Sequence, residues 1–113
     1  MNYPKFEIFK GKNDKFYFRL YARNGQQVLS SQGYASKASC RNGIESVQKN
    51  APNEGQYEHK ESANGKFYFS LLAANKQVIA NSQMYAGKQG CVNGMDAVKR
   101  AANSAEGVED TTA

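Results

Sequence analysis

Lys15-Phe16-Tyr17-Phe18 and Lys66-Phe67-Tyr68-Phe69 are one stretch written twice, each with a leucine two places further on, Leu20 and Leu71. The copies are 51 residues apart, and the same offset pairs Glu7 with Glu58, Asn24 with Asn75, Tyr34 with Tyr85, Lys37 with Lys88, Cys40 with Cys91, and Asn42-Gly43 with Asn93-Gly94. A constant offset held over this much of a chain marks a tandem duplication. The unit around the aromatic stretch therefore decides the fold, and the chain builds it twice.

Within the stretch, side chains alternate as they do along a strand, so Phe16, Phe18 and Leu20 share one face while Lys15, Tyr17, Arg19 and Tyr21 take the other. The first face is apolar and belongs to the core; the second mixes phenols and cations and faces solvent. Upstream, Lys5 to Lys10 alternates too, with Phe6 and Ile8 opposite Glu7 and Phe9, and Gly11-Lys12-Asn13-Asp14 supplies a turn, which together predict a hairpin. Downstream, Asn24-Gly25 turns the chain into a third strand over Gln26 to Ser31, whose inward side the pattern leaves open.

From Ser36 the period changes. Cys40, Ile44, Val47 and Ala51 recur at intervals of three and four, an amphipathic helix with Ser36 as N-cap and Pro52 just beyond its end. Gly43 inside that helix costs about 1 kcal/mol against alanine. Since Gly94 recurs at the matching place, both are expected where the helix backbone lies close on the sheet, over an aromatic ring. The second repeat follows the same course, with Tyr57 and His59 for Phe6 and Ile8, Lys76 for the turn residue Gly25, Gly87 as a weaker cap than Ser36, and a helix through Cys91, Met95, Val98 and Ala102.

A chain of 113 residues with 40% hydrophobic and 22% charged residues is an ordinary globular domain, long enough to bury a core without staples. No stretch approaches the length of a membrane span, and Met1 to Lys5 lacks the apolar run of a signal peptide, so a cytoplasmic protein without membrane association is expected. One three-stranded sheet with one helix leaves edges and a face uncovered, and two copies joined by a short connector most simply pool their strands. The expected fold is α+β: two tandem β-β-β-α repeats, 5–51 and 56–102, related by a pseudo-two-fold and forming one mostly antiparallel sheet with both helices on one face. Residues 1–102 form the single domain. Residues 103–113 contain Glu106, Glu109 and Asp110 and no Lys or Arg, a formal charge of −3 that leaves the 15 basic and 7 other acidic residues of the body at +8. With Val108 as its only sizeable apolar residue, that segment is expected to be a disordered acidic tail.

The repeated Lys-Phe-Tyr-Phe strand, the Asn-Gly turn, Ser-Gln-x-Tyr, and Cys-x-Asn-Gly opening a helix together resemble the YegP-like family, over residues 5 to 102. The family comprises small bacterial proteins of one or two such units. The resemblance implies a single sheet shared between the repeats with exchange of terminal strands, and it implies no activity, because the family is uncharacterised.

No catalytic, cofactor-binding or metal-binding constellation stands out. Cys40 and Cys91 read as reduced cysteines packing helix on sheet, with their mutual approach left open; a zinc site would need about four ligands, and one histidine with two isolated cysteines lacks a local pair. His59 reads as a partly buried or edge residue without a nucleophile pattern beside it. Glu7 and Glu58 share a strand face with Arg19 and the lysines, which suits cross-strand ion pairing better than an acid pair. Phosphate loops and nucleophile elbows are missing, so an enzyme is not expected. Lys37 and Lys88, beside Tyr34 and Tyr85, fall at the helix N-termini, where amides attract anions, although lysines there commonly point to water.

What remains is the open sheet face, whose candidate binding residues are Lys15, Tyr17, Arg19, Tyr21, Lys66 and Tyr68. The expected function is that of a small non-enzymatic interaction module using this face or a strand edge toward a protein partner. The alternative is weak, sequence-tolerant nucleic-acid binding, since RNA-binding sheets combine aromatic planes with cations, although the exposed Gly-Phe-Gly-Phe element of such sheets is missing.

Overall fold

Each copy of the aromatic stretch becomes the middle strand of a three-stranded antiparallel meander. A computed structural model describes residues 3–105 and 107–112. The first repeat runs β1 (Lys5–Lys10), β2 (Phe16–Tyr21), β3 (Gln27–Ser31) and helix α1 (Lys37–Asn50). A 3-10 turn (Glu54–Gln56) leads into β4 (Tyr57–Glu61), β5 (Phe67–Leu72), β6 (Val78–Asn81), helix α2 (Lys88–Ser104) and a short strand β7 (Val108–Asp110). All seven strands form one sheet in the order β4-β5-β6-β3-β2-β1-β7. Every neighbouring pair is antiparallel except β1 with β7. The repeats meet where β3 pairs with β6, Ser30 opposite Asn81, so the pseudo-two-fold passes through the middle of one continuous sheet.

The helices lie on one face and touch each other, and neither stays over its own repeat. Helix α1 packs on β2 but also on β5 and β6, and α2 packs on β5 but also on β2 and β3. The core between helices and sheet holds Phe6, Phe18, Leu20, Leu29, Cys40 and Val47 together with their counterparts from the second repeat. It is therefore a single core.

Local chemistry explains the elements. Ser36 Oγ accepts from the Ser39 amide and caps α1, whereas Gly87 gives α2 no side-chain cap. A Cβ on Gly43 would lie 2.5 Å from the Tyr34 hydroxyl, and one on Gly94 would lie 2.6 Å from Cζ of Tyr85, so both helix glycines permit the close approach to an aromatic ring that their recurrence predicts. Ser31 and Ser82 each accept from a strand amide, Phe18 and Phe69, and donate to the next carbonyl, Gln32 and Gln83. The inward side of the third strand has a specific answer. The register slips between Leu20 and Tyr21 against β3, and between Leu71 and Leu72 against β6, so each third strand carries a bulge. A bulge sends two successive residues to the same side, and Val28 with Leu29, like Ile79 with Ala80, is buried in the core.

Two expectations change. Residues 103–113 are not a disordered tail over their described part: α2 continues to Ser104, and β7 adds to the outer edge of β1 in parallel, with Val108 opposite Phe6, Glu109 opposite Glu7 and Asp110 opposite Ile8. Thr111 closes the segment, its amide and hydroxyl both donating to the Ile8 carbonyl. Glu106 and Ala113 lie outside the described residues. The composition argument weighed apolar area alone; the segment is held instead by ladder hydrogen bonds and by ion pairs from Lys5 to Glu109 and from Lys37 and Arg41 to Asp110. The offset of 51 continued once more points to it, because Glu7 and Glu58 lead to Glu109, and β7 follows α2 as β4 follows α1. The implied exchange of terminal strands, in the frame of repeats 5–51 and 56–102, is correspondingly one-sided: each meander keeps its own three strands, and only β7 crosses over.

Candidate functional site

Antiparallel pairing across the β3–β6 seam makes β2 and β5 run in opposite directions. Lys15 and Tyr17 at the start of β2 and Lys66 and Tyr68 at the start of β5 consequently lie toward opposite ends of the sheet. The six candidate face residues thus form two groups, with small polar residues such as Ser30, Ser70 and Asn81 between them.

In the first group the side chains satisfy one another. Phe9 and Tyr17 stack at 5.5 Å between ring centroids, and the Arg19 guanidinium lies 4.0 Å from the centroid of Phe9. Arg19 also pairs with Glu7 at 3.9 Å, the cross-strand ion pair expected of that carboxylate, and the Tyr21 hydroxyl donates to the same carboxylate. The Tyr17 hydroxyl accepts from Asn13, and Tyr21 meets Tyr3 edge to face. Lys15 is exposed. In the second group Lys66 is exposed and Lys60 lies over Tyr68 at 5.9 Å, while Glu58 pairs with Lys60 along its own strand rather than across strands.

The two outer edges of the original six strands differ more than the two faces do. On the β1 side, β7 covers the edge. Asp110 reaches Lys37 at 3.0 Å and Arg41 at 3.5 Å at the start of α1, and Thr112 donates to it as well. The Thr112 and Lys37 hydrogen bonds hold the Asp110 carboxyl far below its usual 3.8, and the Lys5 ammonium holds Glu109 below its usual 4.5. Carboxyls lowered in the folded state stabilise it above their ordinary pKa values and lose that contribution as pH falls through the lowered ones. The docking of β7 should therefore weaken in acid, and again in strong base, where Lys5, held above its usual 10.5 by the hydrogen bond to Glu109, loses its proton.

On the β4 side no strand of the described residues covers the edge. The Ser62 amide donates to Lys66, which makes Lys60–Tyr68 and Glu58–Ser70 the hydrogen-bonded pairs of the β4–β5 ladder and turns the backbone groups of Tyr57, His59 and Glu61 outward. The Tyr57 amide is used by Glu54. Along this edge runs a cleft of about 380 Å³ lined by His59, Lys60, Glu61, Phe67, Lys88, Cys91 and Val92. Lys88, the counterpart of Lys37, makes no ion pair among the described residues and lies over Phe67 at 5.9 Å. The larger cleft, about 500 Å³ between the Ala22–Asn24 turn and α2, is lined by Pro4 and alanines with the exposed Arg23 and Arg100.

His59 is the edge residue it was expected to be, but it is not alone: Cys91 Sγ lies 4.0 Å from its Nδ1. Their separation of 32 positions hides this, since only strand pairing and helix crossing bring them together. Burial raises the Cys91 thiol and pushes Cys40 up to about 11, which favours the inert thiol in both. Both cysteines are free and buried. Among the described residues no three His, Cys, Asp or Glu side chains gather as metal ligands, and no helix is long and apolar enough to cross a membrane.

The duplication and the seven-stranded sheet have counterparts. The sequence matches the family described as "Domain of unknown function (DUF1508)" twice, over residues 12–58 and 62–109. The first match ends within β4, which pairs with β5 of the second match, and the second ends within β7, which pairs with β1, a strand that precedes both matches. The chain is 48% identical over 104 residues to a UPF0339 protein from the ptx operon 5' region of Stutzerimonas stutzeri, covering 92% of this chain and 94% of the relative. It is 47% identical over 107 residues to the UPF0339 protein YegP of Escherichia coli K12, covering 95% and 96%. The solution structure of YegP from E. coli, described as a protein of unknown function, superposes with a TM-score of 0.90 at 44% identity, over 98% of this chain and 95% of that one. That of a UPF0339 protein from Shewanella oneidensis gives 0.87 at 40%, over 94% and 89%. Their descriptions name no activity. With two matched segments spanning most of its length, a shared fold and close relatives throughout, the chain belongs to the DUF1508 family, the YegP-like UPF0339 proteins, whose function is unknown.

Proposed function

We propose that the chain is a small non-enzymatic interaction module and that its binding element is the outer edge of β4. One observation carries this reading: of two equivalent edges, one is covered by β7 and the other exposes its backbone groups beside a cleft. An exposed edge is a template for strand addition, and natural sheets ordinarily blunt or cover it. The self-paired ladder of Phe9, Tyr17, Arg19 and Glu7 makes the sheet face the lesser candidate. Non-enzymatic action is supported by the burial that holds both thiols protonated.

The second reading, weak nucleic-acid binding, draws on the exposed Lys15 and Lys66 with Tyr17 and Tyr68 and on a net charge of +5. Affinity capture from a lysate, with and without nuclease, separates the two when run beside His59→Pro. That substitution removes an outward amide on an edge strand, where proline is tolerated. An edge-binding partner should survive nuclease and be lost with His59→Pro. Material lost on nuclease treatment and retained by His59→Pro would replace the edge reading with the nucleic-acid one.

A further inference from the structure

The internal repeat supplies its own precedent for what fits the β4 edge. On the first repeat, the occupant of the equivalent edge is an extended acidic segment, Val108-Glu109-Asp110, running parallel to β1. Its residue opposite Ile8 turns its carboxylate to the lysine that opens α1, Asp110 to Lys37 at 3.0 Å. On the second repeat, His59 stands in the place of Ile8 and Lys88 in the place of Lys37, with outward backbone groups at His59 and Glu61 and no acidic partner for Lys88 among the described residues. Val92 replaces Arg41, so Lys88 has an apolar wall beside it where Lys37 has a second cation, and the other lysine of this cleft, Lys60, is already paired with Glu58.

We infer that the β4 edge accepts an extended acidic peptide segment of another protein, parallel to β4, with an Asp or Glu side chain opposite His59 engaging Lys88. This rests on the edge reading above and gives the partner its chemistry. The residue two places after the acid meets Glu61, so it is uncharged, as Thr112 is in the tail. A large apolar residue two places before the acid packs beside Tyr57, as Val108 does beside Phe6. The tail of the same chain does not compete, because its tether holds β7 on β1 at high effective concentration.

The test titrates the full isotope-labelled chain with a blocked hexapeptide of sequence Gly-Val-Glu-Asp-Thr-Thr, taken from residues 107–112, and with the same peptide carrying Glu109→Gln and Asp110→Asn. The expected result is saturable shifts and slowed exchange at the His59 and Glu61 amides with the acidic peptide. Binding should be about tenfold weaker or more with the neutral peptide, as for loss of a charge-assisted hydrogen bond, and equally weakened by Lys88→Glu in the protein. Lys88→Glu places an acid in the first turn of α2, which helices tolerate, so the variant should fold. If both peptides bind β4 equally and Lys88→Glu changes nothing, the acidic chemistry is overturned while the edge reading stands. If neither peptide reaches β4, or if the shifts appear at Phe6 and Ile8 instead, both fall. Shifts at His59 and Glu61 that depend on protein concentration without peptide would make a second copy of the chain the occupant and overturn the inference.

Discussion

A chain ending after Pro52 should not persist as a folded monomer. The reason is the crossing of the helices: α1 packs on β5 and β6 as well as β2, and β2 and β3 are covered partly by α2. Truncation removes the part of the sheet, β5 and β6, that α1 covers beyond its own repeat, exposes the seam edge of β3, and strips β7 from β1. The remaining length is also in the range where a single small core is marginal. The fragment should give collapsed amide dispersion at low concentration, or should dimerise through β3 and rebuild the two-fold with a second copy. A dispersed, concentration-independent monomer spectrum would mean that the repeats are separate folding units.

Phe18→Ala should destabilise the whole chain by about 3–5 kcal/mol, the range for truncating a buried phenylalanine. Phe18 is 0% exposed, meets Phe6 edge to face at 6.1 Å, stacks on Tyr34 at 6.2 Å, and lies where a Cβ on Gly43 would be 2.9 Å from its ring. Its counterpart Phe69 is also 0% exposed and meets Tyr57 edge to face at 5.6 Å, so Phe69→Ala should cost a similar amount. A domain of this size has a total stability of about 5–15 kcal/mol. Each single variant should therefore unfold at markedly lower denaturant in one transition reported equally by probes in both repeats, and the double variant should be unfolded. Two transitions, each confined to the repeat that carries the substitution, would contradict a common core.

Much of this architecture is legible from residues because local chemistry determines it. Alternation in β1 and β2, the Ser36 cap, and glycines 43 and 94 under Tyr34 and Tyr85 depend on neighbours in sequence or on the repeat itself. The third strands were not legible, because a bulge breaks alternation at Val28 and Ile79. The left-handed turn positions show how far a repeat can drift without losing its shape. Lys76 takes the positive φ of Gly25, and Asp14 that of Gly65, at a cost of about 1 kcal/mol each. The site was less legible than the fold. Lys15, Tyr17, Arg19, Tyr21, Lys66 and Tyr68 follow from alternation along two strands, but whether they form one cluster depends on strand direction across the seam. The contrast between the covered and uncovered edges depends on where β7 docks, and its acidic composition argued against docking at all.

That contrast is the central claim, and amide hydrogen exchange at Ile8 and His59 tests it most directly. The two amides occupy equivalent outward positions, one facing β7 and the other facing the cleft. At neutral pH, Ile8 should exchange slowly and His59 should exchange much faster. Acidification through the lowered Glu109 and Asp110 values should release β7 and bring the protection of Ile8 down toward that of His59. Equal, strong protection of both amides at neutral pH would mean that the β4 edge is already covered, and would contradict the account.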